Sequence, residues 1–254
     1  MMGKTHAATG ALTGAALTAA YTSWTAAAPT PGLIVAGVAV GAGAALLPDL
    51  DHPESTATHS LGPLTRLLCL ITRVVSKATY KATGTPYDDN EGSHRTLTHT
   101  ALFALAVGAL TVWAASTWQA ATALVLWLTT SLALRALAAH LDTSVRQRTL
   151  STLVGVSVLS GAITATLMWL ENIPATYLGV CLGAGMIVHV LGDMITKEQA
   201  PLLWPIKING KRWWDLGPPP AMLITTGDDS AIEGSIRWGC WAITGIWAAL
   251  MILL

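Results

Sequence analysis

Residues 176–195 read TYLGVCLGAGMIVHVLGDMI, and the reading of this stretch decides the fold. Twenty residues at helical rise cover about 30 Å, the thickness of a bilayer's hydrocarbon core. Two polar groups fall in the last turns, His189 and Asp193, four residues apart and so on one helical face. Imidazole and carboxylate groups are expensive beside lipid and are kept there for a partner or a function. The stretch therefore predicts a membrane helix that ends in a polar site.

Working outward, six more apolar stretches have membrane-helix character, at roughly 7–23, 32–47, 97–117, 119–140, 150–170 and 237–254. The first two are rich in Gly, Ala and Thr, which predicts tight packing against other helices. Residues 24–31 and 171–174 read as turns. The expected fold is all-α, a polytopic membrane bundle of about seven spans forming one integral-membrane domain over 1–254. Composition agrees: 52% of the chain is hydrophobic and 11% charged, against roughly 25% charged in soluble domains. Net charge is zero, so nothing points to nucleic acid. Trp24, Trp118, Trp169, Trp204, Trp213 and Trp214 flank apolar runs, where amphipathic rings suit the interface. Cys69, Cys181 and Cys240 are far apart and read as apolar fillers. The start of the chain resembles a signal peptide, but no cleavage site leads into a soluble domain, so it is read as the first helix.

Basic residues set the topology. Lys4 precedes span one. Arg66, Arg73, Lys77, Lys81 and Arg95 lie between spans two and three. Arg135, Arg146 and Arg148 lie at or after the end of span four, and Lys197, Lys207, Lys211, Arg212 and Arg237 between spans six and seven. In a seven-span chain all of these fall on one side, which the positive-inside rule makes cytoplasmic, N-terminus included. Two segments stand outside the spans: 60–96, an amphipathic helix and loop, and the cytoplasmic-side loop 196–236. Within 60–84, Leu64, Leu67, Leu68, Ile71, Val74 and Val75 recur at helical spacing among four cations. Such a helix either lies on the cytoplasmic leaflet or covers the rest of the protein from the aqueous side. Residues 84–92, with Asp88, Asp89 and Glu91, read as a loop.

On this topology eight polar groups reach the same end of the bundle. His6 opens span one, Asp49, Asp51 and His52 follow span two, His94 and His99 open span three, and His189 and Asp193 end span six. Each has a plain structural reading: a helix pair for His189 and Asp193, a helix stop and cap for Pro48-Asp49-Leu50-Asp51-His52-Pro53. Four such accidents on one side are less economical than one metal site. Carboxylates mixed with imidazoles suit zinc, manganese or iron, and eight donors exceed one ion and suit two. A two-metal site can activate water and stabilise the leaving oxygen of a phosphoester. There is no GxSxG or CxxC to support serine-hydrolase or redox chemistry.

At these residues the chain resembles the YdjM-like membrane-bound metal-dependent hydrolases of bacterial inner membranes. The matching blocks are His6, Leu46-Leu47-Pro48-Asp49-Leu50-Asp51-His52-Pro53, His94-Arg95-Thr96-Leu97-Thr98-His99, and His189 through Pro205 with Pro201-Leu202-Leu203-Trp204-Pro205. The resemblance implies metal-dependent hydrolysis in the inner membrane, with all eight groups at motif positions. The stretch from His52 to His94, containing His59, is long for the pattern, as is the region of spans four and five. Residues 226–233 match a Gly-polar-Glu segment before the last helix, where Ser230 and Glu233 are expected to form a capping box.

The expected function is hydrolysis, by metal-activated water, of a phosphoester such as a phospholipid head group or lipid-linked phosphate. Membrane lipid is the expected partner, a divalent metal the cofactor, and Asp51, His94 and Arg95 the expected catalytic residues. Arg95 either binds a phosphate oxygen or snorkels or pairs with Asp51. Lys207, Lys211 and Arg212 attract anionic lipid in general. The competing functions are metal transport or sensing, and a structural metal site without catalysis. His59 and His140 are expected outside the metal site.

Overall fold

The computed structural model describes residues 1–86, 92–138, 152–197, 199–215, 217–218, 224–227 and 230–253. Nine α-helices stand among them: α1 (Gly3–Thr25), α2 (Pro31–Ala44), α3 (Thr56–Ser60), α4 (Pro63–Thr83), α5 (Ala101–Thr117), α6 (Gln119–Ala138), α7 (Leu153–Leu170), α8 (Ala175–Met194) and α9 (Ala231–Leu253). Two short 3-10 turns, Pro48–Asp51 and Leu97–His99, carry motif residues. The β structure among the described residues is two isolated bridges. His140, Asp142, Arg146, Arg148, Asp88, Asp89 and Glu91 lie outside the described residues.

Local chemistry sets the helix ends. Thr30 caps α2 by accepting from Leu33 N at 3.1 Å, ahead of Pro31 in the first turn. Thr100 caps α5 through Phe103 N, and Thr152 caps α7 through Gly155 N. A single extended residue, Trp118, separates α5 from α6.

Each of the seven expected spans holds a helix among the described residues, but they do not share one character. Five segments are long and apolar enough to cross a membrane: Pro31–Asp51, α6, α7, α8 and α9. α5 is apolar but has 17 residues. α1 has 23 residues, yet its Thr, Gly and Ala content keeps it outside that group. The last helix begins at Ala231, about two turns before the expected position, and so takes in Glu233.

Glycines let α1 and α2 meet backbone to backbone. A Cβ on Gly10 would collide with the carbonyl of Gly41, and one on Gly14 with that of Gly37. Each helix thus presents a GxxxG pair to the other, the close-packing device of membrane helices. The same approach brings Gly108 of α5 to the Gly179 backbone of α8. α8 packs against α1, α2 and α5, α6 against α2 and α7, and α9 against α1. Leu33, Val40, Leu126, Leu178, Leu182 and Met186 form the main apolar core. A smaller core of Leu46, Leu50, Ala57 and Leu132 lies beneath the Pro48–Asp51 turn.

Candidate metal centre

Four elements converge at one end of the bundle. The first turn of α1 brings His6, the turn after α2 brings Asp49 and Asp51, the turn before α5 brings His99, and the last turns of α8 bring His189 and Asp193. His6, Asp51, His99, His189 and Asp193 have no exposed surface.

Hydrogen-bond chemistry fixes which ring nitrogens face inward. His189 Nδ1 donates to the carbonyl of Ala45 at 2.7 Å, so its Nε2 carries the lone pair. Thr98 donates its hydroxyl to Asp51 Oδ2 at 2.6 Å and accepts from His99 Nδ1 at 3.0 Å, which leaves the lone pair of His99 on Nε2. These two Nε2 atoms stand 3.2 Å apart. Asp193 Oδ2 lies 3.5 Å from each of them. Asp49 Oδ1 lies 3.9 Å from His99 Nε2 and 3.6 Å from His189 Nε2.

His99 Nε2 and His189 Nε2 thus each stand within 4 Å of both carboxylate oxygens, and Asp49, His99 and His189 form one triad of donors. Bonds of roughly 2.0–2.1 Å to a tetrahedral metal put ligand atoms about 3.3 Å apart, and these separations run from 3.2 to 3.9 Å. Asp193 Oδ2 is buried and accepts no hydrogen bond among the described residues; the cation that meets it is the Arg95 guanidinium, 3.4 Å away. The donor set fits a divalent ion.

The other expected ligands surround this group. His6 stacks on His189 with ring centroids 3.7 Å apart. Its Nε2 donates to Asp193 Oδ1 at 3.1 Å, and Met1 N donates to the same oxygen at 2.6 Å. His6, His189 and Asp193 form a second, overlapping triad of donors. Asp51 does not enter either triad. Its oxygens are taken by His94 Nδ1 at 2.7 Å, Arg95 N at 3.2 Å and Thr98, so it holds His94 and His99 in orientation. His94 keeps 31% of its side chain exposed. His52 is at the rim, its ring 4.7 Å from that of His94, with Nδ1 accepting from Glu54 N. Arg95 adopts φ 51°, a left-handed conformation costly for a side-chain-bearing residue, and its Nη2 comes within 3.4 Å of Asp193 Oδ2. Of the expected alternatives for Arg95, the geometry gives an ion pair with Asp193 in place of Asp51, which it touches through its backbone.

His59 is exposed on α3, 3.8 Å from Glu54. His140 lies outside the described residues.

Three contributors carried no signal that the motifs alone could expose. Thr98 and the Ala45 carbonyl set ring tautomers, and Glu233 has a different job from the expected capping box. Ser230 does accept from Glu233 N at 3.3 Å, but the buried Glu233 carboxylate accepts from Gly227 N at 3.0 Å and Met2 N at 2.6 Å. Met2 is the N-cap of α1, which has no side-chain cap of its own, so a buried anion from α9 takes that place.

Neither a curated protein nor a solved structure matches this chain. A family model does, over residues 1–143, taking in His6, the Asp49–His52 turn and the His94–His99 block. With several membrane-spanning helices and buried His and Asp groups able to hold a metal, the chain belongs to the YdjM inner membrane protein family.

Proposed function

We propose that the protein is a membrane-embedded metal-dependent hydrolase that cleaves a phosphoester, in a phospholipid head group or a lipid-linked phosphate, at the cytoplasmic face of the inner membrane. The observation that carries the reading is the convergence of His99 Nε2, His189 Nε2, Asp49 Oδ1 and Asp193 Oδ2 at ligand-to-ligand spacing. Two imidazoles and two carboxylates suit zinc, with manganese or iron as alternatives. A divalent ion held there supplies a Lewis acid and an acidified water. We read one ion and not two: the second triad reuses His189, whose Nε2 has a single lone pair and cannot bridge.

The chain's own groups divide the remaining work. Asp49 is 20% exposed and marks the side from which substrate arrives, beside His94 and Arg95. Arg95 turns its guanidinium from Asp193 toward a phosphate oxygen, a geometry it can meet with two parallel N–H bonds. His94 donates Nδ1–H to Asp51, which leaves Nε2 on the exposed side to take or return a proton.

A structural metal site is the second reading, and one observation favours it: the protein itself offers four donor atoms around His99 and His189, the number that closed non-catalytic sites use. Purified protein distinguishes the two. Metal content by elemental analysis is measured beside hydrolysis of lipid and soluble phosphoesters. The hydrolase reading expects stoichiometric metal and turnover, with Arg95→Ala retaining metal and losing turnover by about 10²-fold or more. Stoichiometric metal with no cleavage across a broad ester panel would leave the structural reading.

A further inference from the structure

α4 is amphipathic in an unusual sense. At about 100° per residue, Thr65, Cys69, Thr72, Ser76 and Thr83 share the face that packs on the protein, and Thr65, Cys69 and Ser76 are buried there. Thr72 Oγ1 on this face lies 3.1 Å from the carbonyl of Leu50 in the Pro48–Asp51 turn, sharing its proton with the helix carbonyls of Leu68 at 2.9 Å and Cys69 at 3.0 Å. The large aliphatic side chains point the other way: Leu64, Leu67, Leu70, Ile71, Val74 and Val75 are 42–60% exposed. They fill an arc of about 140°. Arg66, Arg73, Lys77 and Lys81 share the flank between the two faces, within about 80° of one another. A helix that only covered the protein from the aqueous side would turn those aliphatics inward. This one puts hydroxyls inward, aliphatics outward and cations along one edge.

The C-terminal end of α4 is tied to a second element of the same character. Arg212 Nη1 donates to Thr83 O at 2.8 Å, Trp213 Nε1 to Thr83 Oγ1 at 3.2 Å, and Thr85 Oγ1 to Gly210 O at 3.3 Å. Ile208 and Lys211 bridge across a tight turn, and Ile206, Lys207 and Ile208 leading into it are exposed. Trp204 stacks on Trp213, whose ring meets Tyr80 at a tilt with centroids 5.4 Å apart; Trp and Tyr are the ring types that settle at the headgroup level.

We propose that the outward stripe of α4 is seated in the boundary between head groups and acyl chains of an anionic lipid leaflet, with the basic flank on the head groups. The partner is fixed by the combination of apolar stripe, one-sided cations and an aromatic cluster, on a chain whose neighbouring helices cross the same membrane. The seat is independent of any hydrolytic activity. It also sets depth: the Pro48–Asp51 turn packs on α4, so it rides at the level of lipid phosphates.

The test uses the full chain in nanodiscs of equimolar phosphatidylcholine and phosphatidylglycerol. Single cysteines replacing Leu67, Val74 or Lys77, in a Cys240→Ala background, carry an environment-sensitive fluorophore. Labels at 67 and 74 are expected to be quenched several-fold by lipids bearing shallow spin labels and protected from aqueous iodide, while iodide reaches the label at 77. Iodide access at 67 and 74 without lipid quenching would overturn the seat. Protection from both quenchers, with cross-linked dimers, would assign the stripe to a second copy of the chain and overturn it equally. Unchanged lipid quenching in pure phosphatidylcholine would remove the part given to the basic flank.

Discussion

α1 and α9 invert the usual relation between hydrophobicity and burial. α9 is apolar enough to cross a membrane, yet only 6% of its span is buried in the protein. α1 does not reach that apolarity, yet Thr5, His6, Gly10, Gly14, Thr18 and Thr22 are buried along its length. In water the more apolar helix would take the interior. In lipid, hydrocarbon surrounds the bundle at no cost, so apolarity decides nothing between helices, and small side chains and satisfied polar groups claim the centre. Thr18 illustrates the second device, with its hydroxyl on Gly14 O at 2.8 Å and 2.7 Å from the Tyr177 hydroxyl. The helix least able to live in lipid is therefore buried against the site, where its His6 bonds Asp193.

The contrast is broken most strongly at the glycines. Gly14→Leu forces a side chain into the Gly37 backbone, which cannot yield as a flexible side chain would. The expected cost is about 3 kcal/mol or more, seen as loss of the monodisperse species in size exclusion and a lowered unfolding midpoint. Gly245→Leu in α9 meets nothing within 4 Å, and its midpoint should stay within about 0.5 kcal/mol of the parent. Equal effects at the two positions would mean that α9 is packed in the membrane in a way this bundle does not contain.

The next contrast lies within the site, between a donor and the residue that orients donors. His189→Ala removes one of four converging atoms while leaving the glycine-packed helices intact. Metal affinity should fall by more than about 100-fold, read by competition with a chelating dye, with the bundle still folded. Asp51→Asn keeps the donor set and disturbs the orientation of His94 and His99. A loss of about 10–100-fold is expected. An Asp51 effect as large as that of His189 would place Asp51 on the metal.

Much of this was legible in the chain because membrane helices announce themselves by length, and because His and Asp at helix ends are too expensive to be incidental. Each expected span holds a helix among the described residues, five of them in segments long and apolar enough to cross a membrane, and His6, Asp49, His99, His189 and Asp193 fall in two donor triads that share His189. What the sequence hid are partners set by distance in space. Nothing local ties Thr98 to Asp51, 47 residues away, or the Ala45 carbonyl to His189, 144 residues away. The division of α4 into lipid and protein faces is periodic in the sequence, but periodicity does not say which face turns inward. The crossing count stayed open for a related reason: α1 is helical and buried without being apolar, a state hydropathy cannot distinguish from a soluble helix.

Glu233 offers the finest test of the α1–α9 contrast, because it is where the peripheral helix touches the site. α1 begins without an acidic residue in its first turn and without a side-chain cap, so its positive N-terminal end needs an anion from elsewhere. The buried Glu233 carboxylate supplies it through Met2 N, and its other oxygen holds Gly227 N. His6 is one turn further along α1, where it donates to Asp193 Oδ1. Glu233→Gln preserves the shape and one acceptor oxygen but removes the charge and turns the other oxygen into a donor facing a donor. An anion at a partly buried helix start is worth about 1 kcal/mol, up to roughly 2, so the unfolding midpoint should fall by a correspondingly small amount. Metal affinity should weaken only a few-fold, because His6 supports Asp193 without being one of the four converging atoms. Glu233→Asp, which keeps the charge at shorter reach, should recover part of both losses. If Glu233→Gln lowers stability while metal affinity is untouched, the clamp holds α9 to α1 and has no hand in aligning Asp193.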